Sequence, residues 1–167
     1  VIFSEMHYQP SYKSQEIPRI MPNPEAVPMN GKEINRTPEE YKSLTIPSEY
    51  NDDELFRQGA LSYAENCVYC HGEQLDGNGK YRSYVNKKLD DGKVINKGAY
   101  PANLLSDKTK QSTNGEIFAF ISKGSRTGLA QYSNDLPITS GMLSYDSILT
   151  EEERWALVTY IRRIQGR

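Results

Sequence analysis

One five-residue run constrains this chain more than any other feature: Cys67-Val68-Tyr69-Cys70-His71, which holds both cysteines and one of the two histidines. Two cysteines three positions apart, followed at once by a histidine, fit the covalent attachment of a c-type haem. On one helical turn the two sulfurs reach neighbouring vinyl groups as thioethers, and the next residue points its imidazole at the iron. The same residues admit two other readings. A thioredoxin-like dithiol would want a βαβ setting, which the sequence lacks, and a zinc site would want a further Cys or His ligand nearby.

A six-coordinate haem iron needs a ligand on its other face. His7 is the only other histidine, and the methionines are Met6, Met21, Met29 and Met142. His7 and the first three methionines fall in a proline-rich segment suited to surface or partner contacts. Met142 lies in Thr139-Ser140-Gly141-Met142-Leu143-Ser144-Tyr145, a glycine-containing loop that can swing a flexible thioether over a haem face. A plain core methionine is the alternative.

The pattern around these residues predicts a mainly α fold. A helix from about Asn51 to Cys67 carries Leu55, Phe56, Gly59, Ala60 and Tyr63 on one face. A second spans about Asn114 to Lys123. A third follows Thr150, whose spacing to Glu153 makes a capping box, with Trp155, Val158, Ile161 and Ile164 on its apolar face and Leu157 and Tyr160 beside it. Three acids at its start and Arg162 and Arg163 near its end suit the helix dipole. Gly59 would let a second helix cross the first closely.

Composition divides the chain. Seven of its nine prolines fall in the first 50 residues, which predicts an extended arm over 1–50 and a globular domain over 51–167. The arm carries apolar side chains such as Tyr8, Tyr12, Ile17 and Met21, more than a pure linker needs, so it is expected to dock along neighbouring subunits. A disordered tail is the alternative. The net charge of −2 gives no field for nucleic acid. No apolar run approaches the length of a transmembrane helix, and a lipid anchor ahead of Val1 is left open. Residues 80–97 hold six Lys/Arg against two Asp, and Asp91-Gly92 within them signals a small β-hairpin. That basic stretch is either a solvated loop, a guide for an acidic redox partner or a neighbour of the haem propionates.

From about residue 51 to 166 these features resemble class I cytochromes c. The resemblance implies that fold around one covalent haem c, with Cys67 and Cys70 as attachment points and His71 and Met142 as axial ligands. It also implies that Pro101, in Pro101-Ala102-Asn103-Leu104, accepts a hydrogen bond from His71 Nδ1–H, and that Leu104 packs on the haem. A narrower likeness is to the monohaem cytochrome c subunit of alternative complex III, a bacterial quinol-oxidising complex. Met6-His7-Tyr8-Gln9-Pro10 resembles its arm motif, Asp76-Gly77-Asn78-Gly79 follows the haem motif, and Gly141-Met142-Leu143-Ser144-Tyr145 leads into Glu153-Arg154-Trp155-Ala156-Leu157-Val158-Thr159-Tyr160-Ile161-Arg162. One departure is Leu143, where the family has a proline.

That likeness implies electron transfer without substrate chemistry, at the periplasmic face of a bacterial membrane. Electrons would arrive from a multihaem cytochrome subunit and leave for a terminal oxidase or soluble carrier. A free periplasmic shuttle, or a haem sensor or enzyme with an open iron face, are the alternatives.

Overall fold

The computed structural model describes residue 34, residues 36–95 and residues 98–167. The arm motif and His7, Met6, Met21 and Met29 lie outside the described residues. In chain order the elements are α1 (Pro38–Ser43), α2 (Asp52–Asn66), α3 (Val68–His71), a 3-10 turn (Lys80–Ser83), β1 (Lys87–Lys88), β2 (Val94–Ile95), α4 (Asp107–Lys110), α5 (Asn114–Lys123), α6 (Ser125–Ser133) and α7 (Glu151–Ile164). The domain is mainly α, as the sequence predicts. The expected hairpin is a short antiparallel ladder, Lys87 opposite Ile95 and Lys88 opposite Val94, turning at Gly92 with φ +80°.

Helix ends follow from local chemistry. Asn51 caps α2 by accepting from the Glu54 amide, and Thr150 with Glu153 forms the capping box of α7. The same device opens α5, through Thr113 and Glu116. At its far end Gly124 takes φ +72°, a left-handed cap that L side chains rarely adopt.

α2 and α7 make the main crossing. At Gly59 a Cβ would lie 2.1 Å from the Ala156 carbonyl oxygen and 2.8 Å from Tyr160 Cβ, so the backbones meet where only glycine fits. Tyr160 then fills the space between Phe56 and Tyr63, with ring centroids 5.6 and 5.2 Å away. α5 packs behind, where Phe118 stacks on Trp155 at 4.4 Å. Leu157, Val158 and Ile161 of α7 are buried as expected, whereas Ile164 is exposed.

The expected boundary at residue 50 falls inside this folded unit. α1 packs on α5: Tyr41 is fully buried against Phe118, and Thr113 Oγ1 donates to the Lys42 carbonyl at 2.9 Å. Pro38 is the first residue of α1, behind a Thr37–Glu40 capping box. Here proline starts a helix, because the first turn has no use for its missing N–H.

Adding one methyl group at Gly59 tests the crossing. Gly59→Ala is expected to cost about 2–3 kcal/mol or more, since the obstructing atoms are backbone. Chemical denaturation would read the loss; a wild-type midpoint would show that the helices can part.

Candidate functional site

The Cys67–His71 turn is held from three sides. α2 ends one residue before Cys67, whose amide donates to the Tyr63 carbonyl, and the His71 amide donates to the Cys67 carbonyl at 2.8 Å. Tyr63 Oη donates to the Gly72 carbonyl at 2.7 Å, and Tyr145 Oη to the Asn66 carbonyl at 3.0 Å. Burial raises the pKa of both phenols, which keeps them neutral donors. From the third side, the Gly77 and Gly79 amides donate to the His71 and Cys70 carbonyls. A Cβ at Gly79 would lie 2.4 Å from the Tyr69 carbonyl oxygen, so this loop lies flat on the turn.

The loop then places a second segment over His71. Buried Leu75, in the left-handed region at φ 57°, accepts from the Leu104 amide at 2.7 Å. Gln165 Nε2 donates to the Leu104 carbonyl at 2.6 Å, tying the same segment to the end of α7. His71 Nδ1 lies 2.9 Å from the Ala102 carbonyl. A carbonyl can only accept, so Nδ1 carries the proton and Nε2 keeps its lone pair for a metal. Burial lowers the His71 pKa, with the Ala102 bond opposing it.

The acceptor expected from the resemblance was Pro101; the structure puts Ala102 there instead. The Pro101 carbonyl is turned toward Gly77, where a Cβ would lie 2.6 Å from its oxygen.

All six residues singled out in the sequence border one cavity of about 540 Å³: Cys67, Cys70, His71, Pro101, Leu104 and Met142. Tyr63, Ile117, Phe120, Ile121, Leu157 and Ile161 supply apolar wall. Lys108 and Arg126 also border it, and among the described residues no carboxylate does. Arg126 stacks on Phe120 at 4.5 Å and donates to Ser112 Oγ at 2.5 Å.

The donor set decides between the three readings of the motif. Both thiols are unbridged. Burial, with Cys70 beside it, pushes the Cys67 thiol up to about 12, and burial also raises Cys70. A redox dithiol needs the opposite, a lowered thiol pKa. Among the described residues no group of three or more His, Cys, Asp or Glu could hold a metal ion, which disfavours zinc. An apolar cavity with two thiols, a free imidazole nitrogen and a thioether fits a covalent haem.

Sequence reasoning missed Ala102, the two tyrosine clamps and Arg126. Ala102 acts through its backbone, which no side chain announces. Tyr63 reaches past the end of its own helix to Gly72 and Tyr145 reaches back to Asn66, contacts that helical periodicity does not read. Arg126 sits on α6, whose mixed sequence gives no clear apolar face.

Tyr63→Phe removes the Gly72 clamp and leaves a buried carbonyl without that donor. A loss of about 1–3 kcal/mol is expected in denaturant unfolding. No measurable loss would show that the turn stands without it.

The family model for cytochrome c matches residues 56–165. No curated protein matches the chain. Among solved structures, it is similar to a chain of the reducing HAO-like protein complex of Kuenenia stuttgartiensis, at 21% identity and a TM-score of 0.49. That alignment covers 73% of this chain and 49% of the other, so the present chain spans about half the length of its neighbour. With the attachment motif, the cavity and the family match in agreement, the chain belongs to the cytochrome c family and carries one covalently bound haem c.

Proposed function

We propose that this cytochrome is the monohaem subunit of a membrane quinol-oxidising complex of the alternative complex III type, passing electrons from a multihaem cytochrome subunit to a terminal oxidase or soluble carrier. The observation that carries the electron-transfer part is that the attachment turn and the Met142 loop border one apolar cavity. In this reading Cys67 and Cys70 would hold the macrocycle by thioethers, and His71 Nε2 and the Met142 thioether would bind the iron. Bound there, the haem supplies a one-electron Fe(III)/Fe(II) couple.

The chain's own groups set how that couple behaves. Ala102 fixes the imidazole ring and strengthens its donation. A methionine–histidine pair would favour a raised potential and would leave the iron no position for oxygen or peroxide. That separates a carrier from a haem sensor or enzyme. Leu104, Leu157 and Ile161 exclude water, and Lys108 and Arg126 are the cations available to the haem carboxylates.

The complex-subunit part rests on the arm. Its Met6-His7-Tyr8-Gln9-Pro10 motif and apolar anchors suit docking along other subunits, at the periplasmic face. Among the described residues no helix is long and apolar enough to cross a membrane; in this reading the chain joins the membrane complex through its partners. The basic stretch borders the cavity through Tyr81, with Arg82 stacked on Tyr100 at 4.5 Å. A positive edge there suits an acidic redox partner.

Two measurements test this. The ferric protein is expected to show a sulfur-to-iron charge-transfer band that Met142→Ala abolishes; a band unchanged in the variant contradicts ligation. Native mass measurement on detergent-solubilised membranes is expected to find the chain with multihaem and membrane subunits. Recovery only as a soluble monomer would contradict the complex.

A further inference from the structure

The Met142 loop lacks the proline that would stiffen it, since Leu143 follows the methionine and is 66% exposed. Yet the loop is tied to the end of α5 by a set of contacts that nothing in the sequence suggested. The Tyr145 and Asp146 amides donate to the Ile121 and Ser122 carbonyls at 3.1 and 3.4 Å. Those carbonyls belong to the last turn of α5, where a helix has no acceptors' partners of its own. Ser125 and Ser140 share a hydrogen bond of 2.7 Å, and Ser140 Oγ accepts from the Met142 amide at 3.2 Å. At Gly124 a Cβ would fall 2.5 Å from the Met142 carbonyl oxygen, so the helix cap and the loop backbone are in direct contact.

One ion pair joins these parts. Lys123 Nζ donates to Asp146 Oδ2 at 2.8 Å, with the lysine side chain only 4% exposed and the aspartate 23%. The same ammonium lies 4.2 Å from the centre of the Tyr132 ring on α6. It therefore links α5, α6 and the segment four residues beyond Met142. Burial is the largest single influence and works against the charged lysine, but the Asp146 hydrogen bond and charge together with Tyr41 and Tyr132 outweigh it, so its pKa stands above the usual lysine value.

We infer that the Lys123–Asp146 pair is the positioning clamp of the Met142 loop, holding the thioether against the iron in place of the missing proline. The inference rests on Met142 being the axial ligand. Its physical content is an equilibrium between a closed loop and one swung away, and the pair stabilises only the closed state. Neither residue touches the iron; both act through the loop.

External cyanide binding to the ferric protein reads that equilibrium, because cyanide must displace the thioether. Removing one partner alone would strand a buried charge, so the main variant is Lys123→Met with Asp146→Leu. Its cyanide affinity is expected to rise about tenfold, as a charge-assisted hydrogen bond ceases to hold the loop shut. Lys123→Arg, which keeps the pair, is expected to retain wild-type affinity. Lys123→Gln with Asp146→Asn, a change closer in shape should the first double variant not fold, exchanges the ion pair for a neutral hydrogen bond and is expected to move affinity in the same direction by less.

A charge-transfer band in the wild type that Met142→Ala abolishes, with cyanide affinity in both double variants within twofold of wild type, would overturn the clamp and leave the ligand standing. A wild type without that band would overturn the ligand, and the clamp with it.

Discussion

The close crossing of α2 and α7 is the constraint on which the rest of this cytochrome depends. Gly59 lets the α2 backbone approach Ala156 where a methyl group would overlap a carbonyl oxygen. That approach sets the distance between the Cys67–His71 turn, which continues directly from α2, and Leu157 and Ile161 on α7, which form part of the cavity wall. Tyr63 serves both ends of this arrangement. Its ring packs on Tyr160 across the crossing, and its hydroxyl fixes Gly72 beyond the histidine. Ion pairs from Arg163 to Asp52 and Asp53 close the outer end, but they are exposed and add little.

Much of this was legible because it is local. The helix over Asn114–Lys123 and the capped helix after Thr150 fall where apolar spacing and capping residues place them. The attachment motif is likewise a matter of adjacent residues. What stayed hidden involves backbone atoms or distant pairs. Ala102 presents a carbonyl to His71, and an alanine carries no mark of that role. Lys123 ends an apolar helix, where a lysine ordinarily serves the dipole in solvent; its burial depends on Asp146, far along the chain. Tyr41 was hidden for a different reason: proline density drew it into the arm, although the Thr37-Pro38-Glu39-Glu40 run is a helix start.

Low mean hydropathy, −0.72 over the chain, also takes on a clearer meaning. Part of it lies in long cationic side chains that occupy the interior around helix ends. Arg154 is 2% exposed, stacks on Phe118 at 4.8 Å and donates to Ser122 Oγ at 2.5 Å. Arg162 donates to Asn114 Oδ1 and to the Ser112 and Lys110 carbonyls, joining α7 to the start of α5. With Lys123, these residues put aliphatic stems into the core while their charged heads are hydrogen-bonded. The domain is polar by composition, and apolar side chains such as Leu104, Leu157 and Ile161 line its cavity.

X-ray absorption at the iron edge tests the central claim most directly, because it counts the atoms bound to the metal. The proposed ligation by His71 and Met142 predicts five nitrogens and one sulfur at bonding distance in both the ferric and the ferrous protein. An iron without a sulfur neighbour, or one that is five-coordinate in either state, would contradict a carrier closed on both faces.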